Sequence, residues 1–440
     1  MLTMQDLESV FNSTIEQYIQ PQGQIVLALS GGLDSRVMLA LLKKYCENTG
    51  SKAIAVHVHH GLSIHADDWA KQCQKWCLES GLECFVEHVS LDLKGKSLEE
   101  SARDARYAAL SKHLNENDVL LTGQHADDQL ETFLLALRRG SGPRGLSCMP
   151  QVAPMGKAQL IRPLLHVKRH DIELYAKDSN LEWLNDESNQ DKRFERNYIR
   201  HTIVPSLSKR WPHIQQSVQR SSELCAEQEA LIEELISEKY RQCLRQDKSL
   251  SISKLMGHSE NVRRSIIRMW LSNESVKMPT RSQLEIIWQQ VAMAQKDANP
   301  KLQLANIEIR RFLEALYIVR DFQSLANWNK DIHFEQPCLL PDNLGTLVLI
   351  STGNGRLSKQ SLNTAPLTVI FEPEGLVAHP TDRAHRRKLK KLFQEYAVPS
   401  WMRRRTPILM CGDKVAAVGE LFVDRAFSGD DCDFVWQRSG

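Results

Sequence analysis

Between residues 24 and about 182, apolar runs of strand length alternate with stretches whose apolar positions recur every third or fourth residue. The runs at 25–29, 53–59, 83–88, 119–123 and 159–163 predict strands. The stretches at roughly 35–48, 66–80, 97–113, 127–138 and 168–180 predict helices. Strands alternating with helices predict a parallel sheet covered on both faces, with ligands taken beyond the carboxyl ends of the strands. A long helical pattern begins near His213, runs past Glu238 and predicts a link to a second, helical region ending near Asp321. Residues 322–366 carry turn and strand signals, and from about 340 short strands surround one helix. The predicted fold is α/β, with domains at 1–215, 216–335 and 340–440, the middle one helical and the last a small α+β domain.

A chain of 440 residues is long for one core, which agrees with two or three domains. Hydrophobic content of 42% and charged content of 25% are those of a soluble protein. The net charge is only +2, so any preference for a polyanion must come from where the charges sit. No apolar run approaches the length of a bilayer span, and the first six residues lack a basic segment before an apolar one. A cytosolic protein with no membrane partner is expected. The ten cysteines form no C-x-x-C; Cys73 and Cys77 stand one helical turn apart, and reduced core thiols are expected. His57, His59 and His60 close the second strand, but His57 and His59 share a face that His60 leaves, a poor arrangement for a metal.

The sharpest local pattern is the end of the first strand. There Ser30, Gly31, Gly32, Leu33, Asp34 and Ser35 join an apolar run to a helix. A strand, a glycine turn and a helix N-terminus gather free N–H groups and the positive end of the helix dipole at one spot, which suits a phosphate. Gly31 and Gly32 keep side chains out of the way, and Ser30 and Ser35 add hydroxyls. Asp34 caps the helix or holds a metal beside the phosphates. On the third helix Arg103 and Arg106 share a face, either a solvated stripe or a pair aimed at phosphate or RNA backbone. At 125–132 a strand becomes a helix whose first turn holds Asp127 and Asp128. Asp128 and Glu131 share a face suited to magnesium or a substrate ammonium.

The segment 140–145 matches G-x-G-x-x-G, but it follows a helix rather than a strand, and Pro143 is expected to forbid a helix through the turn. It is read as a mobile basic loop carrying Arg138, Arg139 and Arg144. Arg193, Arg196 and Arg200 fall on one helical face, either a charged surface or a basic stripe lining the cleft. Arg263, Arg264 and Arg268 beside Trp270 suit RNA contact or an ordinary surface. Near the end, Arg383, Arg386, Arg387, Lys388, Lys390, Lys391, Arg403, Arg404 and Arg405 face a single acid, Glu395, with Tyr396 and Trp401 interleaved. A polyanion partner is expected there.

Taken together, these motifs resemble one family. S-G-G-L-D-S at 30–35 is similar to the pyrophosphate-binding PP-loop of ATP pyrophosphatases, in the adenine nucleotide α-hydrolase-like fold. With E-x-A-R-x-x-R-Y at 100–107, H-A-D-D-Q-x-E-T at 125–132, R-G-S-G-x-x-G-L at 139–146 and R-N-x-x-R at 196–200, the chain resembles the tRNA(Ile)-lysidine synthetase family. The H-R-R-K-L-K-K-L-F and V-P-x-W-x-R-R-R-T-P runs at 385–393 and 398–407 resemble the C-terminal domain of that family. The resemblance implies ATP and magnesium as cofactors, with L-lysine and the isoleucine tRNA bearing a CAU anticodon as substrates. It implies that Ser30, Gly31, Gly32, Leu33, Asp34 and Ser35 hold the pyrophosphate. Asp34 and Asp128 would hold magnesium, and Asp34, Arg103, Asp127, Asp128 and Glu131 would carry the chemistry. Arg106, Arg139, Arg144, Arg196, Arg200, Arg386, Arg387, Lys390, Arg403, Arg404 and Arg405 would meet the tRNA. A thiolating enzyme with the same first step would need catalytic cysteines near the cleft, and only Cys148 is placed by sequence to reach it. An RNA-binding module with ATP as a switch would have no need of the acidic set.

Overall fold

The computed structural model describes residues 3–92, 97–295 and 298–438. It comprises two compact units, Met1–Ile232 and Glu233–Gly440. The first is built on a six-stranded sheet. Its elements in chain order are α1 (Met4–Tyr18), β1 (Ile25–Ala28), α2 (Leu33–Thr49), β2 (Ala53–His59), α3 (Ala66–Glu79), β3 (Glu83–His88), α4 (Leu98–Ser111), β4 (Val119–Leu121), α5 (Ala126–Arg138), α6 (Pro143–Leu146), β5 (Val152–Met155), β6 (Ala158–Ile161) and α7 (Arg169–Asp178). The strand order is β3-β2-β1-β4-β6-β5, parallel throughout except for the β5–β6 hairpin at the edge.

Alternation along β1 explains why the sheet is covered twice. Ile25 and Leu27 join a core made with Leu7, Phe11, Met38, Cys73, Trp76, Ile172 and Tyr175, from α1, α2, α3 and α7. Val26 faces the other way, into a cluster with Ile54, Val56, Leu120, Leu160 and Leu110 of α4. The chain leaves β1 for β2 on one side and later returns to pair β4 on the other, so the sheet changes direction between β1 and β4. Ligands of open α/β sheets sit above such a point. Here the turn after β1 meets the turn after β4 so closely that a Cβ on Gly123 would lie 3.2 Å from the Asp34 carbonyl carbon.

Three elements depart from expectation. Helix α1 was not predicted, although Thr3 and Asp6 form a capping box and Leu7, Phe11 and Ile15 recur on one face. Strand β5 was also missed; it pairs with β6 around Gly156, whose φ is +61°. Pro143 does not forbid a helix. It starts α6 at the first position, where a missing N–H costs nothing.

In the second unit Trp270 is fully buried with Ile236, Tyr240, Leu284, Ile287 and Ile309, and its indole N–H donates to the Lys248 carbonyl. Trp270 is therefore core, not an RNA-facing ring. The helices Glu260–Asn273 and Arg281–Ile286 bear out the helical part of the middle region. Between them and Asp321, however, lies a meander of Lys301–Leu304, Ile307–Phe312 and Ala315–Arg320, paired to Leu250–Ser251. The remainder holds a five-stranded, a three-stranded and a two-stranded antiparallel sheet, with the helices Lys359–Leu362 and Leu389–Glu395. No helix among the described residues is long and apolar enough to cross a membrane.

Candidate active site

The turn after β1 forms a compact cradle. Gly31 takes φ +86°, its N–H donates to Ser35 Oγ at 3.0 Å, and Ser35 Oγ lies 3.0 Å from both Ser30 Oγ and the Gly32 carbonyl oxygen. Gly32 caps α2 with no side-chain hydrogen bond. The helix start is thus available to an anion. A Cβ on Gly31 would stand 2.6 Å from Leu184 Cδ1 and 3.1 Å from Cys73 Sγ. Gly31→Ala is expected to lower nucleotide affinity and to cost about 1–3 kcal/mol of stability from backbone strain alone. Nucleotide titration and urea unfolding check both.

Asp34, on the first turn of α2, faces residues that follow β4. Its Oδ1 lies 3.6 Å from His125 Nε2, and its Oδ2 lies 3.5 Å from a guanidinium nitrogen of Arg169. Burial pushes the Asp34 carboxyl above its ordinary value, against the pull of His125 and Arg169. Arg169 went unnoticed in the sequence. The signal was there: Lys168, Arg169 and His170 open α7, where the dipole would favour acids. Asp127 Oδ2 accepts the Arg169 backbone N–H at 3.0 Å, so this carboxylate ties α5 to the start of α7 and has a second oxygen left over.

Asp128 and Glu131 lie deeper, in an ion-pair cage. Arg196 donates to Glu131 Oε2 at 2.9 Å and Asp128 Oδ1 at 3.2 Å. Arg200 donates to Glu131 Oε1 at 2.6 Å, Glu131 Oε2 at 3.0 Å and Asp128 Oδ1 at 3.0 Å. The second Asp128 oxygen accepts the His125 N–H at 3.1 Å. Burial raises the Asp128 carboxyl, but His125, Arg196 and Arg200 outweigh it and hold the group below the usual carboxylate range. The arginines come from Glu195–Tyr198 and from the π-turn Ile199–Ile203 that follows. Pro205, which has no N–H to offer His201, lies just beyond that turn. Arg196 and Arg200, expected at the tRNA, are instead committed to these acids, and Arg193 pairs with Asp191.

Magnesium is the metal the resemblance implies. Asp34 Oδ1 is buried with no hydrogen-bond partner, and one carboxylate plus triphosphate oxygens is the usual protein share of a magnesium site. Asp34 fits. Asp128 does not, because both its oxygens already meet cations or an amide, and its assignment as a metal ligand is corrected on that ground. Among the described residues no group of three or more His, Cys, Asp or Glu is set to hold a metal.

Elsewhere the basic residues divide by exposure. Arg103 is exposed and stacks on Tyr107, its guanidinium carbon 5.3 Å from the ring; Arg106, Arg139 and Arg144 are exposed as well. In the second unit Arg386 and Lys390 are exposed, Arg387 pairs with Glu395, and Arg404 pairs with Glu372 and Glu374. Arg403 is half-buried, donating to the Val398 carbonyl. Arg405 is buried, 5% exposed, bonded to Asp342 at 2.7 Å and lying over Phe322. It supports the fold and is not presented to a polyanion. Cysteine placement also needs correction: Cys73, not Cys148 alone, lies beside the loop. Burial pushes the Cys73 thiol up to about 12, so it stays protonated.

Known families match along the chain: a PP-loop domain over residues 4–207, a TilS substrate binding domain over 250–317 and a TilS substrate C-terminal domain over 367–437. These matches and the cradle define an ATP-utilising PP-loop enzyme of the ligase type. Proteins named tRNA(Ile)-lysidine synthase are similar over nearly all of it. That of Vibrio parahaemolyticus is 52% identical, covering 99% of this chain and 100% of the relative, and that of Photobacterium profundum is 48% identical, covering 98% and 99%. The chain belongs to the tRNA(Ile)-lysidine synthase family. Among solved structures, the U34-tRNA thiolase NcsA from Methanococcus maripaludis overlays with a TM-score of 0.44 at 19% identity, over 51% of this chain and 80% of that one.

Proposed function

We propose that the protein joins free lysine to C2 of the wobble cytidine of the isoleucine tRNA with a CAU anticodon, using ATP. The cytosine C2 oxygen attacks the α-phosphorus, and pyrophosphate leaves. The lysine ε-amine then attacks C2, and AMP departs with the oxygen, giving lysidine. Decoding switches from AUG to AUA. The observation that carries this proposal is the union, at one topological switch point, of the Ser30–Ser35 cradle with Asp34, His125 and Asp127.

The loop from Ser30 to Ser35 would hold the pyrophosphate, because phosphoryl transfer depends on alignment and charge neutralisation. Asp34 would hold magnesium, which neutralises phosphate charge when bound. Arg169 beside Asp34, and the exposed Arg103, would add positive charge near the reacting phosphate or the RNA. Lysine must attack as the free amine, so a nearby carboxylate has to receive its ammonium and take a proton. Of the three acids expected there, Asp127 keeps an oxygen for this. Asp128 and Glu131 hold the floor of the site through Arg196 and Arg200. The buried, protonated Cys73 favours lysine over sulfur as the nucleophile.

Incubation with ATP, labelled lysine and total tRNA should place label in one RNA species; no labelled RNA, or sulfur incorporation instead, overturns the proposal. We further assign the 1–215 region to catalysis and the 216–335 and 340–440 regions to tRNA. Replacing Arg386 and Lys390 with Gln should flatten the salt dependence of tRNA binding by about one unit of slope per lost phosphate contact. Arg405→Ala should leave that slope unchanged and lower stability instead, as read by urea unfolding.

A further inference from the structure

Two buried polar side chains of the first unit stand outside the chemistry above. Gln129, 7% exposed on α5, pairs with Met149 as a second strand would: its Nε2 donates to the Met149 carbonyl at 2.8 Å, and its Oε1 accepts the Met149 N–H at 3.1 Å. Arg162, 4% exposed and next after β6, donates to the Pro150 carbonyl at 2.7 Å, while its backbone N–H donates to the Gln151 carbonyl at 2.9 Å. Three consecutive residues are therefore fastened from two sides. Thr122 N–H in turn bonds to the Ile161 carbonyl at 3.1 Å, joining this anchor to the turn that carries His125.

Just before that anchor is the excursion bearing Arg139 and Arg144. Residues 137–140 and 142–145 are exposed, Gly140 has φ +67° and Cys148 φ +56°. At its near end Gly140 and Ser141 N–H bond back to Leu137 and Ala136 of α5. At its far end the only side chains that grip the backbone of 149–151, among the described residues, are Gln129 and Arg162. A glycine-rich loop held at both ends keeps its place without a core of its own; freed at one end, it gains the conformations that binding must then remove.

We propose that Gln129 and Arg162 are positioning residues that clamp Met149–Pro150–Gln151 and so set the Arg139–Arg144 loop for tRNA. The proposal rests on the assignment of that loop to the polynucleotide. Gln129→Met keeps length and apolar volume but leaves the Met149 N–H and carbonyl without partners. It is expected to raise KM for tRNA about tenfold, with kcat and ATP affinity held within about twofold. Arg162→Met gives the same KM signature, and the pair together falls short of the product of the singles because both act on one segment. Hydrogen exchange of the Met149 amide speeds in each variant. A fall in ATP affinity that tracks the rise in KM, an unchanged KM, or independent effects of the two substitutions overturns the clamp. An Arg139→Ala, Arg144→Ala variant separates the two claims. If its KM for tRNA is normal, the loop assignment fails and the clamp with it. If its KM rises while that of Gln129→Met does not, the clamp alone fails.

Discussion

Asp34→Asn is expected to lower ATP-dependent pyrophosphate release by about two to three orders of magnitude, the usual loss when a preorganised charge is removed from a phosphoryl-transfer site. Stability should move the other way. Burial raises the Asp34 carboxyl, so the folded chain takes up a proton there more readily than the unfolded chain. The ionised form therefore opposes folding: any stability linked to this group is present at low pH and lost as pH rises through the raised value. Asparagine never ionises, and at neutral pH the variant should unfold at an equal or higher urea concentration than the parent. Loss of turnover with retained or increased stability marks a residue kept for chemistry. Retained pyrophosphate release, or a clear loss of stability, would remove Asp34 from its place at the phosphates.

Glu131→Gln should lower stability. Glu131 is 1% exposed and takes both arginines of the cage. A neutral amide in its place leaves Arg196 and Arg200 sharing Asp128 alone, and breaking one partner of a buried ion pair costs about 3 kcal/mol. The two arginine side chains are 27% exposed, so water will screen part of that loss. Urea unfolding should report it as a lower midpoint with an unchanged slope. Activity should fall too, because Asp128 also accepts the His125 amide and sets the ring beside Asp34. An unaltered midpoint would mean that the cage contributes nothing net to folding.

The contrast between these two acids shows where sequence reasoning reached and where it stopped. Local pattern was enough for the loop at 30–35, for the alternating strands and helices from 24 to 182 apart from α6 and β5, and for the gathering of motifs at carboxyl strand ends. It also placed Asp128 and Glu131 on one face of α5, since helical spacing alone decides that. What it missed was the other side of each contact. Arg196 and Arg200 reach those acids across 65 to 72 residues, and no local pattern states that they do. The basic run near the end misled for the same reason. Its own acid is only Glu395, but Asp342, Glu372 and Glu374 arrive from outside it and absorb Arg405 and Arg404. Helix α1 is a different kind of omission, since its capping box and its apolar spacing were legible.

The cradle and its partners reach one place from distant points of the chain, which bears on how the protein comes off the ribosome. The turn after β1 is made early, but Arg169 meets Asp34 across 135 residues, and the arginines that steady Asp128 follow still later. Parallel pairing of β1 with β4 also joins distant parts of the chain, and contacts so far apart in sequence form slowly. A nascent chain therefore exposes a phosphate-binding turn with an unsteadied carboxylate for as long as translation needs to reach Arg200. Nucleotide binding in full strength is a property of the finished domain, and chains stalled before that residue should bind ATP weakly.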